Sequence, residues 1–222
     1  MWGEVVRVNV KNRLDLDLNR EVLNPDSGAK SHSHPTYLSR RSVTIYMLTL
    51  GLVNTYDKIK LHEAHYRSIA RAAPVAYAFG FNLALFDYPF KMNAEELVDF
   101  VKDKTTIGES GKYLKELFGS GKFFVFDLPE KGFQPQFGSV VVTTSHPASE
   151  KQLQLPALAE LINRKKSFLF LIGLGHKGLP DKLFELAQYH LDITSKGVSL
   201  ETCTAIGAVP AVISGCVERM KG

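Results

Sequence analysis

Three closely spaced glycines, in Gly173-Leu174-Gly175-His176-Lys177-Gly178, follow directly on an apolar run, Phe168 to Ile172. The run has the length and composition of a buried strand. Glycine permits close backbone approach and conformations that other residues avoid. A loop of this kind, between a strand and a helix, turns backbone N–H groups toward a small molecule. Pro180 suits the first turn of the helix, and Leu183, Phe184, Leu186 and Ala187 give it one apolar face. A short segment, Leu191 to Ile193, leads to a second loop, Thr194-Ser195-Lys196-Gly197-Val198, after which Ser199 is the expected N-cap of a last helix. Two helix-opening loops in tandem describe a ligand site built mainly from backbone.

The ligand is open among three readings. Gly173-x-Gly175-x-x-Gly178 matches the dinucleotide fingerprint, and Asp192 lies about where a ribose-binding acid belongs, so a nicotinamide (NAD) oxidoreductase is one. That fingerprint normally opens a doubly wound sheet, and too little sequence follows it here to finish one. In the second, the glycines only turn the chain. In the third, they form the floor of a different nucleoside site, with Leu191 and Ile193 as walls and Asp192 turned away by strand alternation.

Other chemistry-bearing residues are more scattered. Arg67 and Arg71 share a helix face at i, i+4, as a solvated stripe or as a contact to an anion or nucleic acid. His62-Glu63-Ala64-His65 is one residue short of the zinc-protease spacing, which favours a capping or solvated role. His32 and His34 lack further ligands at metal spacing, and no metal site is expected. Gly108-Glu109-Ser110-Gly111-Lys112-Tyr113 fails as a phosphate loop, because Tyr113 stands where Ser or Thr is needed and no strand feeds it. Cys203 and Cys216 are spaced wrongly for a metal pair and read as reduced packing residues.

The chain that must position these residues has 222 residues, 45% hydrophobic and 23% charged, with a formal net charge of +4. That suits one large soluble domain and permits, without demanding, a nucleic-acid partner. No uncharged apolar run is long enough to span a membrane, and the first ten residues, which carry Glu4 and Arg7, do not read as a secretory signal. A cytoplasmic protein is expected. Residues 1–41 mix turn and loop chemistry and read as an N-terminal extension to a domain at 42–222. Strands are expected at Ser42–Leu50, Asn82–Asp87, Phe123–Asp127, Ser139–Thr144 and Phe168–Ile172. Helices are expected at Lys60–Phe79 (with Pro74 as a kink), Asn93–Lys104, a short stretch ending at Phe118, and Pro156–Arg164. The alternation predicts an α/β fold with a mainly parallel sheet and helices on both faces.

With these residues in place, the chain resembles the SPOUT superfamily of RNA methyltransferases, and most closely an archaeal family of unknown function grouped with it. Leu171-Ile-Gly-Leu-Gly-His-Lys-Gly-Leu-Pro180 matches the superfamily's strand, Gly-rich loop and helix, with His176 where many members carry Glu. Leu191-Asp-Ile-Thr-Ser-Lys-Gly-Val-Ser-Leu-Glu201 matches its last motif, with Glu201 in place of an Asn. Arg71-Ala72-Ala73 matches a degenerate first motif, in which His65 and Arg67 replace an Asn and a Gly. The resemblance implies a C-terminal trefoil knot, a homodimer, S-adenosylmethionine as cofactor and structured RNA, tRNA or rRNA, as partner. It implies a cofactor site at Thr144, Ile172, Gly173, Leu174, Gly175, Gly178, Leu179, Leu191, Ile193, Val198, Ser199 and Leu200. Arg71 and Glu201 are then the candidate catalytic residues, and Arg67, Arg71 and Lys177 the candidate RNA contacts. His146 and His176 are further candidate bases. The departures in the first and last motifs leave a catalytically inactive nucleotide- or RNA-binding protein as the alternative, with the NAD enzyme behind it.

Overall fold

The structure is a computed structural model and describes residues 46–104, 110–175 and 177–221. The expected extension at 1–41, His32, His34 and His176 lie outside the described residues. Six strands form one sheet: β1 (Leu48–Val53), β2 (Asn82–Phe86), β3 (Phe123–Phe126), β4 (Ser139–Thr143), β5 (Phe168–Gly173) and β6 (Tyr189–Leu191). Six α-helices accompany them: α1 (Glu63–Ala78), α2 (Ala94–Lys104), α3 (Ser110–Gly119), α4 (Leu155–Asn163), α5 (Asp181–Leu186) and α6 (Thr202–Arg219). The strand order is β3-β2-β1-β5-β4-β6, and every pairing is parallel. Parallel strands are covered on both faces, which is why β2 (NLALF) and β5 (FLFLIG) are near-continuous apolar runs.

Alternation along β5 divides the core in two. Phe168, Phe170 and Ile172 face α1, α2, α3, α4 and α6, through residues such as Ile69, Val98, Leu114, Leu158 and Val209. Leu169 and Leu171 face a thinner layer, made by α5 through Leu183 and Ala187 and by Phe133 and Phe137 of the loop after β3. Helices thus lie on both faces, five on one and one on the other among the described residues. No described helix is long and apolar enough to cross a membrane.

Three local expectations are corrected. The first strand pairs from Leu48 to Val53 rather than ending at Leu50, because its register runs Leu48 opposite Phe168 to Val53 opposite Gly173. The short segment expected at Leu191 to Ile193 is instead a strand over Tyr189–Leu191, so Asp192 and Ile193 already belong to the loop. Ser199 does not cap the last helix. Glu201 does, its carboxylate accepting from the amides of Cys203 (2.9 Å) and Thr204 (3.4 Å). Pro74 lies inside α1 without ending it.

Candidate functional site at the carboxyl ends of the central strands

β1 and β5 are neighbours, yet the chain leaves them toward opposite faces, into α1 and α5. Diverging connections open a crevice beyond the strands' carboxyl ends, where α/β sheets bind ligands. Here it is a cleft of about 750 Å3. All twelve residues expected to hold a cofactor line it, together with Arg71, Lys177 and Glu201. Arg67 does not, because its guanidinium pairs with Glu63 one turn back at 2.8 Å. His146 stands just beyond Ser145 of the lining, its Nδ1 2.9 Å from the Ser145 hydroxyl.

The glycine loop folds onto itself. A Cβ on Gly173 would lie 2.9 Å from the carbonyl carbon of Gly178, and Gly178 has φ +67°. The Gly178 amide donates to the Gly175 carbonyl (3.1 Å), and the Leu174 amide to Val53 of β1 (2.8 Å). The tight return leaves no room for a side chain at Gly173 and favours glycine at Gly178 through its positive φ. It also weakens the dinucleotide reading, because α5 starts only at Asp181, after Pro180, and has six residues. A pyrophosphate site needs the helix to begin in the loop itself.

The second loop is organised by Asp192, which lies just past β6, so that hydrogen bonds within the loop rather than strand alternation direct its side chain. Its carboxylate accepts from the Thr194 amide (2.9 Å), the Thr194 hydroxyl (2.7 Å) and the Gly197 amide (2.7 Å). Burial opposes the charge, but the Thr194 hydroxyl and the amides of Gly197, Thr194 and Lys196 outweigh it and hold the carboxyl below its ordinary value. The Thr194 hydroxyl oxygen accepts in turn from Lys196 and Val198 (3.2 Å each). This loop therefore spends its own amides internally and offers the cleft Val198, Ser199 and Leu200 instead. The acid that a ribose would need is likewise engaged.

α6 closes the cleft. The Thr202 hydroxyl donates to the Gly173 carbonyl (3.1 Å), fixing the start of α6 against the end of β5. One residue on, the Cys203 sulfur accepts from Arg71 Nη1 at 2.7 Å, which ties α1 to α6 across the opening. Sequence reasoning found Arg71 but treated Cys203 as packing, since a single cysteine at a helix start carries no spacing signal.

Below the rim on the α1 side lies a buried polar network around Tyr56, which the sequence did not reveal. Asn54, 1% exposed, donates through Nδ2 to the carbonyls of Asp57 (2.8 Å) and Asp87 (2.9 Å). Its Oδ1 accepts from the Tyr56 amide (3.1 Å) and lies 3.2 Å from His65 Nε2. His65 Nδ1 accepts from the His62 amide (2.9 Å), so the neutral ring carries its proton on Nε2. Burial lowers the His65 pKa against contacts with Asp57 and His62 that raise it. His62 Nε2 meets the Asp57 carboxylate at 2.9 Å. The amides of Lys60 and Ile59, and then His62, hold that carboxyl far below its ordinary range. The His62–His65 pair is thus a helix-start device, as its spacing suggested. Among the described residues, no three His, Cys, Asp or Glu side chains converge as a metal site would need.

Comparison with known proteins agrees with this architecture. A chain from Bordetella pertussis named "Probable Methyltransferase" superposes with a TM-score of 0.51 at 16% identity, over 78% of this chain and 98% of that one. A chain from Bacillus anthracis named "putative RNA methyltransferase" gives 0.50 at 15%, over 77% and 94%. At such identities the likeness is one of fold alone. An uncharacterised protein of Methanocaldococcus jannaschii, MJ0224, is 50% identical over 166 residues, 75% of this chain and 92% of that one. The model of one family matches residues 48–214, nearly the whole sheet and its helices, and the chain belongs to that family, described as a protein of unknown function (DUF531).

Proposed function

We propose that this protein is an S-adenosylmethionine-dependent RNA methyltransferase acting on tRNA or rRNA in the cytoplasm, as a homodimer with a knotted C-terminal segment. The observation that carries the proposal is the cleft itself, which gathers every expected cofactor residue at the switch point of a methyltransferase-like sheet. The residues present fit the cofactor. Ile172, Leu174, Leu191 and Ile193 supply apolar walls for an adenine, and the glycine loop supplies close backbone. When bound, the cofactor supplies an electrophilic methyl group. The protein's part is positioning. Arg71, held toward α6 by Cys203, binds a phosphate or orients the acceptor, and Lys177 adds a second cation at the rim. Glu201 fixes the first turn of α6 and stands at the lip of the cleft as a candidate base.

Nucleoside mass spectrometry of tRNA and rRNA from a deletion strain tests this directly. One methylated nucleoside should disappear and return on complementation. One observation favours a second reading, a binding protein without turnover: a Glu201 carboxylate oxygen is committed to capping α6. In that case the cofactor binds and no nucleoside is lost.

A further inference from the structure

Tyr56 combines features that a packing residue does not need. It is 53% exposed, yet it lines the cleft. Its ring is held edge-on by two imidazoles, His62 (centroids 5.2 Å apart, planes at 83°) and His65 (5.9 Å, 63°). Both imidazoles are fixed in turn, His62 by Asp57 and His65 by Asn54 and the His62 amide. Burying Asn54, His65 and Ser68 is costly unless each is bonded. All three are: Ser68 donates to the His65 carbonyl (2.7 Å) and lies 3.0 Å from the Tyr88 hydroxyl. A satisfied polar network beneath one exposed ring pre-organises that ring.

The surroundings indicate what the ring receives. Ile59, on the same loop, is 92% exposed. Lys60 beside it and Lys177 across the cleft have no ion-pair partner among the described residues, whereas Lys58 is paired with Asp87 at 2.5 Å. Val198, 52% exposed, lines the same opening. An unpaired cation, Lys177, and a rigid, exposed aromatic ring in the lining of one cleft match a nucleobase on a phosphate backbone, since every base offers a π-face. A helical duplex keeps its bases stacked away from such a ring. We propose that Tyr56 is the stacking platform for an unpaired base of the RNA substrate at the mouth of the cleft. This inference rests on the methyltransferase reading for its substrate but not for its geometry.

The test uses a fluorescein-labelled RNA hairpin with an unpaired loop and a blunt, fully paired RNA duplex as probes, with fluorescence anisotropy as readout. Tyr56→Leu keeps apolar volume and removes the π-face, and Tyr56→Phe keeps the ring. The expected result is hairpin binding about ten-fold weaker in Tyr56→Leu, from the loss of base stacking on the ring. Duplex binding should change less than about two-fold, and Tyr56→Phe should match the wild type. Titration with S-adenosylmethionine on the same samples keeps the two readings apart. A Tyr56-dependent hairpin preference without cofactor heat supports the platform and refutes the cofactor reading. Equal hairpin affinity in Tyr56→Leu and wild type, with cofactor heat intact, overturns the platform alone. A change of mass by light scattering in Tyr56→Leu also overturns it, because the ring is then a contact between copies.

Discussion

Arg71 spans 132 residues of sequence to reach the Cys203 sulfur, and that contact is the residue-scale centre of the site. Arg71 is itself exposed, so Arg71→Ala should leave the thermal midpoint nearly unchanged. It should weaken RNA binding by about ten- to a hundred-fold, the ~1.5–3 kcal/mol of one charge-assisted hydrogen bond, while calorimetry shows unaltered cofactor affinity. Unfolding of the variant would instead mark Arg71 as structural. Asp192 gives a prediction of opposite character. Its carboxylate holds three donors of the second loop, so Asp192→Ala should loosen Val198 to Leu200 and weaken cofactor binding by about 1–2 kcal/mol. The folded pKa lies below the ordinary 3.8, so this stabilisation is complete above that value and is lost as pH falls through the lower folded one. Arg71 was legible because Arg-x-Ala on a helix after a core strand is a local pattern. Cys203 and Tyr56 were not, because their partners are set by how α1 meets α6 and by a loop whose hydrogen bonds no spacing encodes.

At the scale of elements, β5 and the glycine loop after it were the most readable part, since an apolar run ending in glycines has one simple geometry. Gly173→Val should abolish cofactor binding, because its Cβ would sit 2.9 Å from the Gly178 carbonyl carbon and the loop could not close. Gly178→Ala meets nothing within 4 Å and carries only the strain of φ +67°, so it should cost about 1 kcal/mol in chemical denaturation and spare binding. The ends of elements were less legible than their centres. Ser199 has the chemistry of an N-cap, but Thr202 must reach the Gly173 carbonyl, and that tertiary bond starts α6 two residues later than a Ser199 cap would. The start of α1 makes a pH prediction. His65 is buried neutral with a pKa below 6.5, so the unfolded chain binds the proton more readily. Its contribution to stability is complete above pH 6.5 and is lost as pH falls through the lower folded value. The melting temperature should drop on that side, and His65→Gln should flatten the drop.

For the whole molecule, strand–helix alternation was enough to predict a parallel α/β sheet, and the sheet is parallel throughout. The order β3-β2-β1-β5-β4-β6 was not readable, because placing β5 between β1 and β4 is a matter of long-range pairing between similar apolar strands. That insertion creates the crevice, so the site's composition could be read in advance but not its location. From Ala205 to Val217 the sequence of the last helix is apolar nearly all round. In the fold it buries Ile206, Val209, Pro210, Ile213 and Val217, while Ala208, Ala211 and Val212 remain half-buried. A two-fold partner would cover that remainder, and light scattering at micromolar concentration should give twice the chain mass. A monomer there would contradict the dimer.

The central claim is that the cleft between the glycine loop and α6 holds S-adenosylmethionine, and isothermal titration calorimetry of the intact protein tests it most directly. The account predicts saturable heat at one site per chain for S-adenosylmethionine, none for NAD, and loss of the signal in Gly173→Val. Absence of heat for S-adenosylmethionine, or tighter binding of NAD that disappears in Asp192→Ala, would contradict it.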